Sequence, residues 1–270
     1  MSWWVVSLTS HHPPIFDRGA NMIDTFDNTS ISVFKLCPQK YYYNMVQHLV
    51  PIVSNNYAAE YGIAFHKAMD EWYTTHDINN AIKAFVDYWM PFEGSDPTNL
   101  RCLVNGVNLI KQYVAKYAIE PFTVEATEIA FTVELNSQYL YHGKCDGLVR
   151  YQDGNFYTLE HKTSASKGYL SLKPNHQIDG YHFGVGEIYH KEIKGCVFNQ
   201  IYMSKKRNEF VRELTLRSPN DIEDFKKDTI SWCDDINRCN DENHWRKNTN
   251  SCGAYYKACE YKILCDCPPE

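Results

Sequence analysis

The chain lacks any apolar run near the roughly 20 residues that a membrane-spanning helix needs. The segment Trp3 to Leu8 is apolar, but it is too short for a signal-peptide core and no basic residue precedes it. Nothing points to export, so a cytoplasmic location is expected. Positive charge is not in excess: 27 Lys and Arg stand against 33 Asp and Glu, a formal net charge of -6. Such a protein does not coat nucleic acid by bulk electrostatics, and any contact of that kind needs a local basic channel. There is no internal repeat, no linker and no low-complexity tract.

What is present is a globular composition, 44% apolar with 20 Tyr. Residues 1–23, with His11-His12-Pro13-Pro14, read as an irregular leader, and Met22 is as good a start as Met1. Residues 24–270 read as a single α+β domain: 24–120 mainly helical, 121–240 mixed, 241–270 a polar tail rich in cysteine. Ten cysteines in a chain with no export signal argue against a disulfide framework and for metal.

The helices follow from spacing. Ser30 or Ser32 suits a helix N-cap, and Pro38 suits the first turn of a new helix after Cys37. Over residues 56–75, Ala58, Tyr61, Phe65, Met69 and Trp72 recur at three- and four-residue intervals. Residues 78–90 and 97–118 give two more helices, separated by Pro91 to Pro97. At Pro121 the pattern changes, and 122–134 alternates as a strand. A hairpin, a helix of about fifteen residues from Asn175, two strands (195–204 and 209–217) and a helix over 219–239 follow.

The hairpin, YLYHGKCDGLVRYQDGNFYTLEHKT from Tyr139 to Thr163, carries unusual charges. Glu160 and Lys162 share a strand face and His161 points the other way. Directly opposed residues on antiparallel strands share a face. A two-residue Asp153-Gly154 turn would set Gly147 opposite Glu160. A three-residue loop, Gln152-Asp153-Gly154, sets Asp146 opposite Glu160, and Gly154 supplies the left-handed residue that this loop wants last. The three-residue loop is therefore expected. Two carboxylates and a lysine together suit metal-dependent hydrolysis of a phosphodiester: the carboxylates bind a hard divalent cation, and the lysine orients water or offsets developing charge. The plain alternative is a surface salt bridge on an exposed sheet face.

Asp146 followed by Glu160-His161-Lys162 resembles the D…(D/E)xK signature of the PD-(D/E)xK nuclease superfamily, although Lys144-Cys145 stands where the proline of that name would be. Gln177 and Tyr181, four apart on one helix face, are similar to the QxxxY segment of the RecB-like branch. Gly62-Ile63-Ala64-Phe65-His66 is similar to its GxxxH segment. The resemblance spans roughly Ser30 to Cys265. It implies a restriction-endonuclease-like αβββαβ core with a mixed central sheet, plus an N-terminal helical lobe and the cysteine-rich tail. It implies Mg²⁺ or Mn²⁺ held by His66, Asp146, Glu160 and the backbone carbonyl of His161. Asp146, Glu160 and Lys162 would be catalytic, with Gln177 and Tyr181 holding substrate.

One distant cysteine, Cys37, with Cys252, Cys259 and Cys265 in the tail resembles the iron–sulfur staple of AddB-like and CRISPR-associated RecB-like exonucleases, some of them phage-borne. The resemblance implies a [4Fe-4S] cluster on these four. Zinc is the rival, with Cys267 a substitute ligand, although spacings of six and five are loose for a zinc ribbon. Cys102, Cys145, Cys196, Cys233 and Cys239 read as buried apolar residues. Glu125 and Glu128 read as solvated strand residues, either of which could reach the metal. Lys167, Lys173 and the turn Lys205-Lys206-Arg207 could touch a DNA backbone. The activity implied is a DNA nuclease, an exonuclease on single-stranded ends leaving 5′ phosphates, in recombination, repair or CRISPR-like processing with protein partners of that kind. A non-catalytic binding module, a structure-selective endonuclease and an RNA-directed enzyme stay open. No helicase motif is present, so any unwinding would come from elsewhere.

Overall fold

The computed structural model of the chain describes residues 4–6, 24–51, 56–165, 167, 171–253 and 258–266. Tyr255, Tyr256 and Cys267 lie outside them, as does all of the leader except β1. In chain order the elements are β1 (Trp4–Val6), β2 (Asp24–Phe26), α1 (Asn28–Leu36), α2 (Pro38–Tyr41), β3 (Leu49–Pro51), α3 (Tyr57–Thr75), α4 (Ile78–Trp89), α5 (Leu103–Lys116), β4 (Phe122–Glu134), β5 (Tyr139–Tyr151), β6 (Phe156–Ser164), α6 (His176–Tyr189), β7 (Ile193–Tyr202), β8 (Glu209–Leu216), α7 (Pro219–Asp241) and α8 (Lys262–Asp266). No helix among the described residues is long and apolar enough to cross a membrane.

The chain divides into two compact units. One comprises Asn55–Val133 and Gly143–Glu223, the other Met1–Ser54, Glu134–His142 and Asp224–Glu270.

The first of these holds a sheet in the order β5-β6-β7-β8, with β4 also paired to β5. The β5/β6 and β7/β8 pairs are antiparallel and β6/β7 is parallel, so the sheet is mixed. Alternation sorts its faces. Tyr157 and Leu159 of β6 and Val197 and Ile201 of β7 join the large core formed with α3, α4 and α5, where Tyr61, Phe65, Phe85, Trp89 and Tyr113 are fully buried. Cys196 and Phe198, the intervening β7 residues, pack with Ile178 of α6 and with Leu172. This is the α+β class with a mixed central sheet that the resemblance implies. The third helix begins at Leu103, not at 97. Asp96 captures the intervening segment: its Oδ1 accepts from the Thr98 N–H (2.8 Å) and hydroxyl, and its Oδ2 from the Arg101 N–H (3.0 Å).

In the other unit the first helix is capped by Asp27 rather than by Ser30 or Ser32. Asp27 Oδ1 accepts from the Ser30 N–H at 2.7 Å, and the Ser30 hydroxyl accepts in return from the Asp27 N–H at 3.3 Å. Ser30 is thus the third helical residue of a capping box, a role that serine shares with the cap itself. Pro38 opens α2 at its first position, as its spacing after Cys37 suggests. The tail is tied to the N-terminal segment by buried aromatic rings, Trp245 stacked on Tyr41 (5.7 Å) and Tyr261 on Tyr43 (5.8 Å), and by polar contacts. The Tyr43 hydroxyl donates to the Leu264 carbonyl (3.1 Å), Asn44 Nδ2 donates to the Tyr261 hydroxyl (2.7 Å), and Lys40 pairs with Glu260 (2.8 Å).

Candidate active site

The β5–β6 loop is the three-residue one. The Tyr151 N–H donates to the Asn155 carbonyl (3.0 Å), the Gly154 N–H to the Tyr151 carbonyl (2.9 Å), and Gly154 takes φ +82°. The register runs Arg150↔Phe156 to Gly147↔Leu159. One further step sets Asp146 opposite Glu160. There the ladder gives way to a side chain: the His161 N–H donates to Asp146 Oδ2 at 2.7 Å.

Asp146 is held from two sides. Its other oxygen, Oδ1, lies 2.7 Å from His66 Nδ1. His66 sits at the edge of the buried face of α3, one residue after Phe65, so the helix packing that fills the core also delivers the imidazole. Burial acts to raise the Asp146 carboxyl, but the His66 charge and hydrogen bond, with the His161 N–H, outweigh it and hold the group below its ordinary value. His66 is raised in turn: burial opposes its charge, and Asp146 more than compensates.

Glu160 has the opposite environment. It is 3% exposed. Its Oε1 accepts from Gln177 Nε2 at 3.2 Å, while its Oε2 is buried without any partner. Burial first, then the neighbouring Asp146 charge, push its carboxyl well above the ordinary value, and Lys162 offsets this only in part. Gln177 Nε2 also donates to the Tyr181 hydroxyl at 2.8 Å. These two lie in the first turns of α6, whose start is fixed by the Asn175 side chain accepting from the Gln177 and Ile178 N–H groups (3.1 and 3.2 Å). Lys162, two residues on from Glu160, is exposed.

His161 faces the other way, into the helical core, 2% exposed. Its ring stacks on Tyr73 at 5.8 Å, and Asn199 Nδ2 lies 3.3 Å from its Nδ1. Arg212 Nε donates to Asn199 Oδ1 (2.6 Å), and its other nitrogens bond Glu120 and Tyr113. Burial holds His161 at a pKa of about 3, so the ring is neutral. Cys145 is fully buried, its thiol donating to the Gly147 carbonyl (3.3 Å).

Glu128 has the sequence context of a solvated strand residue, and the structure brings it into the site. Ligand atoms of His66, Glu128 and Asp146 all lie within 4.8 Å of one another, and among the described residues this is the one group of three such side chains. Glu128 takes φ +50°, a left-handed conformation unusual for glutamate. Buried positions of β4 are odd-numbered from Ile129 onward, whereas Phe122 is the buried position before the kink. No residue type announces that kink; Glu128 looks like any exposed strand glutamate. It is paired with Lys144. Glu125 pairs instead with Arg150 (2.9 Å) at an exposed position.

Asp146, with His66 and Glu128 gathered round it, and Glu160, outside that group but near enough to feel the Asp146 charge and with a buried oxygen lacking a partner, suit a hard divalent cation: oxygen ligands, negative charge to offset, and a coordination position already desolvated. The site fits the metal that the resemblance implies.

The family model of the PD-(D/E)XK nuclease superfamily matches residues 28–266. No curated protein matches the chain. Among solved structures, a presumed exonuclease from Eubacterium rectale is similar at 11% identity and a TM-score of 0.55, covering 92% of this chain and 94% of its own. The protein SSO0001 aligns at 14% identity and a TM-score of 0.39, covering 94% and 88%. At these identities the first likeness concerns the fold. The family match covers most of the chain, which belongs to the PD-(D/E)XK nuclease superfamily.

Proposed function

We propose that the chain is a Mg²⁺- or Mn²⁺-dependent deoxyribonuclease acting on single-stranded DNA ends and leaving 5′ phosphates, in recombination, repair or CRISPR-like processing. The observation that carries this reading is the unpartnered Oε2 of Glu160 beside Asp146. Asp146, Glu160, His66 and the His161 carbonyl would hold the cation, with Glu128 within reach. When bound, the cation supplies Lewis-acid polarisation of a phosphoryl oxygen and a water of lowered pKa.

The chain's own residues have separable tasks. The exposed ammonium of Lys162 orients the attacking water and offsets charge on the phosphoryl oxygens. Gln177 fixes Glu160 and, with Tyr181, lines the approach of the strand. The neutral, wedged ring of His161 holds the strand segment whose N–H positions Asp146. Glu160→Ala and Lys162→Ala should each abolish Mg²⁺-dependent cleavage of single-stranded DNA while leaving circular dichroism unchanged. Unchanged cleavage in both variants would refute the assignment.

In the other unit, Cys37, Cys252, Cys259 and Cys265 are read as ligands of a [4Fe-4S] cluster, or of zinc. All four are free thiols. Cys37 is buried, and its sulfur accepts from the Asn248 N–H at 3.4 Å. The Cys259 N–H donates to the Cys252 carbonyl (2.8 Å). Burial pushes the Cys265 thiol up, Lys247 opposes this, and Cys37, Cys259 and Cys252 are all near enough to add to it. Bound metal would contribute folding energy to a tail that Trp245 and Tyr261 already anchor on the N-terminal helices. Freshly purified protein should be brown, with iron by elemental analysis; colourless protein with stoichiometric zinc selects the rival, and neither metal removes the site.

A further inference from the structure

The turn between β7 and β8 carries Lys205, Lys206 and Arg207, all exposed, in a chain whose net charge is negative. The other lysines flanking the site are neutralised: Lys167 pairs with Glu209 and Lys173 with Asp221. The three residues of the turn form no ion pair among the described residues. Arg207 adds to the field at Glu209, whose carboxylate Lys167 already holds.

The turn is also built. The Ser204 hydroxyl accepts from the Arg207 N–H (3.0 Å) and donates to the Arg207 carbonyl (2.6 Å), and Asn208 Nδ2 donates to Gln112 Oε1 of α5 (3.1 Å). Between turn and helix lies a hollow of about 160 Å³, its walls including the amides of Asn105, Asn108, Gln112 and Asn208. Amides offer hydrogen bonds without adding charge, so the site presents three cations beside neutral donors and acceptors.

Its position follows from the sheet. In the parallel β6/β7 pair Lys162 stands beside Gln200, and Ser164 beside Tyr202. Five residues separate Gln200 from Lys205, at most about 16 Å at ~3.3 Å per residue. A stacked strand rises ~3.4 Å per nucleotide, so at most about five nucleotides span the gap.

We propose that the β7–β8 turn is a phosphate-binding subsite for the single-stranded DNA substrate, engaged within about five nucleotides of the scissile bond. The proposal rests on the nuclease reading above. It makes length the determinant: a short oligonucleotide reaches the catalytic residues alone, and a longer one reaches the turn as well.

The test uses the full chain in EDTA, where binding is read without hydrolysis, and fluorescent oligodeoxynucleotides of about 3 and about 12 residues across a salt series. In the triple variant Lys205→Gln/Lys206→Gln/Arg207→Gln, affinity for the long strand should fall at least about tenfold at low salt. The slope of log K against log salt should shrink by about 2, three contacts at ~0.7 each. Affinity for the short strand should not change, nor should the Tm, since the side chains are exposed. An unchanged slope on the long strand, or an equal loss on both lengths, overturns the subsite and leaves the nuclease reading standing. A wild-type chain that neither binds DNA in EDTA nor cleaves it with Mg²⁺ overturns the nuclease reading and the subsite with it.

Discussion

Replacing Glu160 by glutamine should stabilise the metal-free protein while abolishing cleavage. Glu160 is 3% exposed, has one hydrogen bond at 3.2 Å, and has one oxygen with no partner. Leaving a buried acceptor unsatisfied costs about 1–3 kcal/mol, and more when it is charged. Glutamine keeps the shape and removes the charge beside Asp146. For a unit of this size, about 1–3 kcal/mol corresponds to roughly 3–10 °C in Tm. The pH dependence has a definite sign. The folded carboxyl is raised above its unfolded value of about 4.3. Below that value both states are protonated and the wild type is not penalised. As pH rises, the unfolded chain releases the proton freely and the folded chain does not, so wild-type stability is lost progressively up to the folded pKa. Glutamine does not titrate, so the gap between the proteins opens from about pH 4.3 upward. Differential scanning fluorimetry in EDTA from pH 4 to 9 reads it. Mn²⁺ at a hundredfold excess over its Kd adds about 2.7 kcal/mol to the protein that binds it, which should shift the balance back toward the wild type. Glu160→Gln being less stable than the wild type in EDTA at pH 8 would refute the reasoning.

The same change one strand away should have the opposite sign. Asp146→Asn loses charged hydrogen bonds to His66 and the His161 N–H, so it should destabilise the EDTA protein by about 1–3 kcal/mol, read by urea unfolding. Arg217→Met should cost about 3–5 kcal/mol, because it strands Asp179, 4% exposed, in the first turn of α6. The double variant Arg217→Met/Asp179→Asn should recover part of that loss, and failure to recover any would show that the cost is packing. Gly195→Ala should yield insoluble protein on expression: a Cβ there falls 2.0 Å from the Thr215 carbonyl oxygen across the β7/β8 ladder, and two strands cannot part locally.

Much of the fold was legible because local chemistry fixed it. Loop length and Gly154 set the β5–β6 register, and with it the approach of Asp146 to Glu160. Alternation gave β4 its full span, and Asn175 gave α6 its start. What was not legible depended on contacts distant in sequence or on backbone choices that residue types do not report. The Asp96 turn that delays α5 and the capping role of Asp27 are local but ambiguous, since serine and aspartate serve several cap positions. The left-handed Glu128 has no sequence signal. The network behind His161 joins Tyr73, Tyr113, Glu120, Asn199 and Arg212 from α3, α5 and the connection after it, β7 and β8, and nothing in Glu160-His161-Lys162 suggests that the middle residue is wedged and neutral.

The short run Leu159 to Lys162 shows why such a site is hard to read and yet strongly constrained. Leu159 and His161 project into the helical core, while Glu160 and Lys162 alternate to the other face. Over that face the strand also passes from buried to exposed: Glu160 is nearly inaccessible and Lys162 is open to solvent. A carboxylate that is to hold a cation gains from a dry position, where each electrostatic contact is stronger. An ammonium that is to handle water gains from an exposed one. Two residues of one strand meet both needs only if the strand leaves the core between them. The packing of His161 against Tyr73 and Tyr113, with Asn199 at its Nδ1 and Arg212 behind Asn199, keeps the strand in the core up to this point. Loss of the wedge should therefore act on Glu160 and Lys162 together, through a shift of the strand rather than through either charge.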